Sequence, residues 1–164
     1  MSADHVTDLR AALDELHRLT KELRQTLEGI PPLLLLQPPA SGGWTLTEDL
    51  VHVAEMLAFW SGEIERIRLQ PGTTFGRIAS NPERIRFIEE HAQDTPEQIS
   101  ALLEQGEAQA VALLERLQSA DLEKVGQHMK FGPQTIGRAI QEWLLDHLEE
   151  HVHQLQAILA EVRQ

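Results

Sequence analysis

Apolar residues recur at three- and four-residue steps in four stretches of the chain, which is the spacing of one face of an α-helix. In the first stretch, Leu9, Leu13 and Leu16 begin such a stripe. No alternating pattern of convincing length predicts a strand. The four predicted helices run from about Val6 to Glu28, from Thr45 to Gln70, from Thr95 through Leu117 and from Ile136 to Val162.

Three predicted helix starts carry capping signals. Thr45-Leu46-Thr47-Glu48 fits a capping box, in which the threonine hydroxyl accepts from a free amide of the first turn and the glutamate reaches back to the cap. Thr95-Pro96-Glu97-Gln98 combines a cap, a proline at the first helical position and a glutamine at the third. A short additional helix is predicted to begin at Asn81-Pro82.

Prolines and glycines set the connections between the helices. Residues 30–43 contain four prolines and the Gly42-Gly43 pair, so they are predicted to form a surface connection. Residues 70–94 are predicted to be a long crossover and residues 126–133 a loop. Four amphipathic helices with one long crossover, between the second and third, predict an all-α four-helix bundle. The length predicts a single domain, residues 1–164.

Charge and composition narrow the classes of partner. The chain has 14 Lys and Arg residues against 26 Asp and Glu residues, a formal net charge of −12, so it should repel phosphate backbones and anionic membranes. Its longest aliphatic run, Leu33 to Leu36, is far short of the roughly 20 residues of a membrane-spanning helix. The first ten residues carry acids where a secretory signal would carry basic residues, and there is no cysteine. We expect a cytoplasmic protein that binds neither nucleic acid nor membranes.

Three histidines lie within seven positions of the last predicted helix. Successive helical residues rotate by about 100°, so His147 and His151 are one turn apart on the apolar face. Both rings are therefore predicted to point into the bundle, whereas His153 falls on the polar face. His52, in the wide apolar arc of the second helix, is the best third candidate to meet them; the alternative is that it is a partly exposed histidine at the border of the core.

The pattern alone leaves two interpretations of these rings open. Histidines on an apolar face can be core residues that hydrogen-bond to their neighbours. Histidines that converge between facing helices can instead hold a metal, with nitrogen or oxygen ligands because the chain has no thiol. His147-Leu148-Glu149-Glu150-His151 also matches the H-x-x-E-H pattern of inverted zinc proteases, but only 13 residues follow it. We interpret that match as accidental.

Three groups of residues occur together in a characteristic order. They are Trp44-Thr45-Leu46-Thr47-Glu48 leading to His52, the Phe131-Gly132-Pro133 loop with Thr135-Ile136, and His147-x-x-x-His151 followed by Gln154-Leu155. In this arrangement the chain resembles the DinB-like proteins of the YfiT kind over most of its length. The resemblance implies an up-down-down-up bundle that often forms a homodimer, with a divalent metal ion held by His52, His147 and His151.

The same resemblance implies a chemistry. Relatives include S-transferases that use low-molecular-weight thiols such as bacillithiol, and mycothiol-dependent enzymes. We therefore expect a metal-dependent thiol S-transferase, in which the ion activates a small-molecule thiol to attack an electrophile, although such an ion can also activate water. The alternatives are a non-catalytic metal- or ligand-binding stress-response protein and a plain dimeric bundle without a metal. Imidazole ligands suit zinc, nickel, copper and iron alike.

Residues near these histidines carry further hypotheses. The acids that could orient the imidazoles through their second nitrogens, or simply be solvated, are Glu48, Glu55, Glu149 and Glu150. The crossover arginines that could contact a carboxylate of the thiol or substrate, or form surface ion pairs, are Arg77, Arg84 and Arg86. His128 lies in the predicted loop and could approach the end of the bundle that holds the site, but a loop histidine is more often exposed, so it receives no role.

Overall fold

The computed structural model describes residues 5–164, and most of them are helical. In chain order the elements are α1 (Leu9–Glu28), α2 (Pro32–Leu35), α3 (Leu46–Leu69), β1 (Thr74–Phe75), α4 (Pro82–His91), α5 (Pro96–Arg116), a 3₁₀ helix (Ser119–Glu123), β2 (Val125–His128), β3 (Gly132–Thr135), α6 (Ile136–Ala139), a π-helical segment (Ile140–Asp146) and α7 (His147–Val162). Among these helices, none has both the length and the apolar character needed to span a membrane.

The four long helices form a bundle in which α1 and α3 each contact both α5 and α7. The crossover from α3 to α5 contains β1 and α4. The predicted all-α fold, an up-down-down-up four-helix bundle with its long crossover between the second and third long helices, is confirmed. The wide apolar arc of α3 follows from this arrangement, because α3 contacts α4 as well as α5 and α7.

Side-chain caps begin three helices where the sequence predicts them. The Thr45 hydroxyl accepts from the Glu48 amide at 3.2 Å, and the Glu48 carboxylate accepts from the Thr45 amide at 2.8 Å, which confirms the capping box of α3. Thr95 and Gln98 form the same reciprocal pair at α5. Asn81 caps α4 through its side-chain oxygen. The capping residues of these three helices can therefore be predicted from the sequence.

Two boundaries near the start of the chain differ from the predictions. Helix α1 begins at Leu9 and not near Val6, because Asp8 takes the cap position and the Val6 amide donates to Gly137 O at 2.9 Å. The predicted surface connection 30–43 contains the short helix α2, whose Leu35 is buried in the core. A proline at a first helical position is compatible with such a turn.

The region after α5 differs most from the prediction. Residues 126–133, predicted as a loop, contribute to the antiparallel pair β2–β3, and β1 pairs in parallel with β2. These strands have two to four residues, which is too short for an alternating pattern to be recognised. The predicted fourth helix is also interrupted, because the π-helical segment separates α6 from α7. The i→i+5 bonds of a π-helix change the face that neighbouring residues present.

Close packing fixes α3 against α5. A β-carbon on Gly106 would lie 2.6 Å from Ala54 O, so the glycine allows the two helix backbones to approach closely. Leu50, Met56 and Leu57 of α3 have no exposed surface. Helix α3 is thus held firmly on this side, and its other side faces α7.

Candidate metal site

Three histidines meet between α3 and α7. His52 lies in the second turn of α3, and His147 and His151 lie one turn apart at the start of α7. His52 and His151 are 3% and 6% exposed, and His147 is half-buried. One ring nitrogen of each lies within 4.8 Å of the other two. The structure thus brings together the three side chains that the sequence singled out.

The spacing of the ring nitrogens fits a shared ion. His147 Nε2 and His151 Nε2 are 3.2 Å apart. Two nitrogens that each lie about 2.0–2.1 Å from one zinc ion, at a tetrahedral angle, are roughly 3.3–3.4 Å from each other. The His52 ring closes the group, with its centroid 4.8 Å from that of His151 and 5.8 Å from that of His147.

A buried carboxylate orients His151. Asp49 Oδ1 lies 2.8 Å from His151 Nδ1, and Asp49 has no exposed surface. Donation from Nδ1 to this carboxylate leaves the lone pair of His151 on Nε2, the nitrogen that faces His147. The sequence-based candidates did not include Asp49. The sequence feature that could have identified Asp49 is its position three residues before His52. This spacing places both side chains on one face of α3.

Glu55 is the predicted orienting acid that lies beside a ring. Its Oε2 is 3.4 Å from His52 Nδ1, and Arg77 donates to both of its carboxylate oxygens, with Nη2 at 2.6 Å from Oε2. Burial raises the pKa of Glu55, but the contact with His52 Nδ1 and the hydrogen bonds from Arg77 outweigh burial and lower that pKa overall. Glu55 is therefore an anion beside Nδ1 of His52.

The other three candidate acids have different surroundings. Glu48 caps α3, and Glu149 lies 3.7 Å from Arg18. Glu150 is exposed, so it does not reach the histidines as the glutamate of an H-x-x-E-H site must. His153 is also exposed, as its position on the polar face predicts.

Burial favours the neutral form of two rings of the site, His147 and His52. Together with the neighbouring rings and two arginine charges, it lowers the pKa of His147 to about 3. Burial also lowers the pKa of His52, although the Glu55 carboxylate offsets part of this effect. Neutral imidazole is the form that ligates metals, so little proton competition opposes an ion at near-neutral pH. The donor set therefore fits a divalent ion that accepts imidazole nitrogen.

A cavity of about 190 Å³ lies against the site. His52 and His147 line it, whereas His151 does not. The other lining residues are Trp60, Arg77, Ile78, Ala79, Arg84 and Trp143. A small molecule in this cavity would therefore meet two of the three rings, two arginines and an aromatic wall.

His128 supports that wall. It is 5% exposed, and its ring stacks on Trp143 with centroids 4.8 Å apart and planes 6° apart. Trp143 stacks in turn on Trp60 at 4.7 Å. His128 Nδ1 accepts from the Lys130 and Phe131 amides at 3.1 and 3.3 Å. The general expectation that a loop histidine is exposed is wrong here, because β2 and the hairpin bury the ring among aromatic side chains.

The family model of the DinB superfamily matches residues 15–155 of the chain. This range includes the three histidines, Asp49 and Glu55. A comparison with curated proteins finds no significant match.

Solved structures share the fold at low sequence identity. YfiT from Bacillus subtilis, described as a probable metal-dependent hydrolase with an unusual four-helix bundle topology, is 19% identical with a TM-score of 0.75; 92% of this chain and 85% of YfiT are covered. Mycothiol-dependent maleylpyruvate isomerase is 15% identical with a TM-score of 0.69; 99% of this chain is covered. The matched region is 63% of the isomerase, so this chain corresponds to less than two thirds of that protein.

A further solved structure with this fold is that of the colibactin self-resistance protein ClbS in complex with double-stranded DNA. ClbS is 16% identical with a TM-score of 0.69, and 94% of this chain and 97% of ClbS are covered. The net charge of −12 predicts that this chain does not bind nucleic acid, and that statement stays a prediction. The homodimer implied by the family resemblance stays a prediction as well.

Proposed function

The chain belongs to the DinB superfamily, and on that premise we propose that it is a divalent-metal-dependent enzyme, more specifically a thiol S-transferase. The observation that carries the proposal is the convergence of three imidazoles from two helices beside a cavity. The thiol dependence of maleylpyruvate isomerase, which has the same fold, supports the thiol route. The chain has no cysteine of its own, so the sulfur nucleophile must come from a small molecule.

In this proposal His52, His147 and His151 hold the ion. Asp49 fixes the tautomer of His151, and Glu55 faces the second nitrogen of His52, as carboxylates commonly do behind metal-bound imidazoles. Three protein ligands leave coordination positions open, which distinguishes a catalytic site from a closed structural one. When bound, a divalent ion supplies positive charge that lowers the pKa of a thiol placed against it.

The proposed reaction joins a low-molecular-weight thiol, such as bacillithiol, to an electrophilic substrate. The sulfur forms a bond to the electrophilic carbon, the bond from that carbon to its leaving group breaks with the electron pair, and the thiol proton passes to solvent. Trp60 and Trp143 form one wall of the cavity and limit the access of water to the sulfur. A substrate of modest size is expected, because the cavity holds only about 190 Å³.

The metal part of the proposal is tested by elemental analysis of protein purified without a histidine tag. The unmodified protein should bind about one divalent ion per chain, and His151→Ala should lose it. His153→Ala is the matched control, because this exposed histidine lies on the same helix two residues away. Equal metal content in the two variants would contradict the assignment of the ligands.

The catalytic part is tested by turnover of 1-chloro-2,4-dinitrobenzene with bacillithiol, mycothiol, coenzyme A and cysteine in turn. The metal-loaded protein should accelerate conjugation of at least one thiol, and His52→Ala should abolish the acceleration. A protein that binds metal but gives the same rates as His52→Ala with every thiol would instead be the non-catalytic metal-binding protein.

A second candidate function is metal-dependent hydrolysis. The description of YfiT as a probable metal-dependent hydrolase favours it, and the same three-histidine arrangement can activate water. Hydrolysis of p-nitrophenyl acetate and of small amides in the absence of any thiol would support this candidate. Activity that needs an added thiol supports the S-transferase.

A further inference from the structure

Arg84 brings a guanidinium group to the cavity beside the candidate metal site. It extends from α4 and lines the cavity together with His52 and His147. Its side chain is half-buried, donates through Nη1 to Ala79 O at 2.8 Å and lies 5.1 Å from the centre of the Trp44 ring. The backbone contact and the aromatic ring hold the group in place at the edge of the cavity.

The charge of Arg84 has no matching acid. Its neighbour Arg77 donates to both oxygens of Glu55, so that arginine is neutralised. Within the described part of the chain, no carboxylate forms a salt bridge with Arg84. This is notable in a protein with 26 acidic residues against 14 basic ones, where a guanidinium can readily find a partner.

The electrostatic effect of Arg84 extends to the site. Its charge lowers the pKa of both His52 and His147, after the larger effect of burial. Burial and the neighbouring charge of Arg77 lower the pKa of Arg84 itself, and the charge of the Glu55 carboxylate offsets part of this effect. A half-buried cation near a second cation is unfavourable unless an anion joins it. The two oxygens of a planar carboxylate match the parallel N–H groups that the fork of a guanidinium offers.

We propose that a reactant of this site carries a carboxylate group and that Arg84 binds it. This inference rests on the proposed function, because it assumes that small reactants enter the cavity beside the three histidines. The carboxylate can belong to the thiol or to the electrophile. In either position Arg84 is a binding residue that selects an anionic reactant and sets its orientation toward the histidines.

The thiol arm of the test uses Co²⁺-loaded protein and two thiols of matched length, 3-mercaptopropionate and 3-mercapto-1-propanol. Dissociation constants are read from the sulfur-to-cobalt charge-transfer absorbance. The carboxylate thiol should bind about tenfold more tightly than the alcohol, as expected for a charge-assisted contact. Arg84→Gln should remove this preference. Arg86→Gln should retain it, because the exposed Arg86 lies on the same helix outside the cavity.

The electrophile arm compares iodoacetate with iodoacetamide, using a neutral thiol and the zinc-loaded protein. If the electrophile carries the carboxylate, the kcat/KM ratio of iodoacetate to iodoacetamide should fall about tenfold in Arg84→Gln and not in Arg86→Gln. Loss of discrimination in the thiol arm alone places the carboxylate on the thiol, and loss in this arm alone places it on the electrophile. Discrimination that is absent from the unmodified protein in both arms, or that survives in Arg84→Gln, would overturn the inference.

A third measurement separates this inference from the proposed function. Propionate and propionamide are titrated into metal-free protein, and binding is followed by the indole N–H resonance of Trp44. Arg84-dependent preference for propionate supports the carboxylate site even if no thiol binds cobalt and no electrophile reacts. Equal binding of the acid and the amide, together with a failed thiol arm, would remove both proposals.

Discussion

Two buried polar clusters lie between helices of this bundle, and they differ in what they leave unsatisfied. Between α1 and α5, the Glu107 carboxylate accepts from Thr20 Oγ1 at 2.9 Å and from Arg24, and it faces His17 Nδ1 at 3.3 Å. Between α3 and α7, Asp49 pairs with Nδ1 of His151 and leaves the Nε2 of that ring available. The nitrogens of the second cluster face one another beside a cavity.

A buried carboxylate has a different consequence in each of the two clusters. Glu107 is matched in charge by Arg24, and both of its carboxylate oxygens accept hydrogen bonds, so it joins two helices and leaves no oxygen for a ligand. Arg24 Nε is a buried donor of this cluster without a partner among the described residues. Asp49 instead fixes a ring whose other nitrogen points toward two further rings. A functional site is therefore indicated by the direction of the lone pairs on the ring nitrogens, and not by the presence of a buried acid.

The strongest expected effect is on metal affinity, through Asp49. Asp49→Asn keeps the size of the side chain but removes the charge that orients His151, so we expect metal affinity to fall by about 10- to 100-fold. Competition with a chromogenic chelator measures this change. Glu107→Gln is the matched control and should leave affinity unchanged. A comparable loss in both variants would show that the two clusters do not differ as described.

The next effect is on stability, through Glu107. Glu107→Ala removes the shared partner of Thr20 and Arg24, so the free energy of unfolding should fall by about 2 kcal/mol. Urea denaturation of metal-free protein measures it. Glu104→Ala, an exposed change on the same helix, should cost much less. Metal affinity should be retained in both variants. Its loss in Glu107→Ala would contradict the conclusion that this cluster leaves no oxygen for a ligand.

The pH dependence of stability should be smaller but distinctive. Burial is the largest cause of the lowered pKa values of His52, His128 and His147. Below about pH 6.5 these rings take up protons more readily in the unfolded chain than in the folded one, so acid favours unfolding. Stability is fully present above that pH and falls as the pH drops from 6.5 to 5.5, by about 1 kcal/mol for His147, whose pKa is lowered to about 3.

Urea denaturation of metal-free protein at pH 7.5, 6.5 and 5.5 checks this expectation. His147→Gln should reduce the slope, because one of the contributing rings is gone. Saturating zinc should stabilise the folded chain at every pH, since it binds the folded state preferentially. Stability that is flat or rises as the pH falls would contradict the direction of the pKa shifts.

The smallest effect is expected at Glu55. Its contact with His52 Nδ1 is 3.4 Å, against 2.8 Å for the Asp49 contact, so Glu55→Gln should weaken metal binding by less than about tenfold. The same chelator competition measures it. Glu65→Gln, a change at the far end of α3, should have no effect on affinity. A larger loss of metal affinity from Glu55→Gln than from Asp49→Asn would contradict the expectation that Asp49 contributes more than Glu55 to metal binding.

The helices and the three-histidine group were predictable because their signals are local. Apolar spacing and caps such as Thr45 act within one or two turns, and the one-turn spacing of His147 and His151 follows from helix geometry. The assignment of His52 needed the family resemblance in addition. Its place beside the other two rings depends on how α3 meets α7, which periodicity does not specify.

Asp49 and His128 were not predictable in the same way. An acid in the first turn of a helix is favoured by the helix dipole alone, so Asp49 has an ordinary explanation until a partner 102 residues away reaches it. His128 is buried by strands too short to recognise and by a hairpin that folds its ring onto Trp143. Both roles arise from tertiary contacts between distant parts of the chain.

The π-helical segment between Ile140 and Asp146 lets one continuous helix serve two packing surfaces. Trp143 on this segment stacks against Trp60, and His147 immediately after it faces His52 and His151. Deletion of one residue there would rotate the tryptophan by about 100° relative to the histidines. The π-helical segment thus sets the rotation of Trp143 relative to His147, and this rotation aligns the aromatic wall of the cavity with the candidate metal ligands. A relative without it would have to obtain one of the two surfaces from another part of its chain.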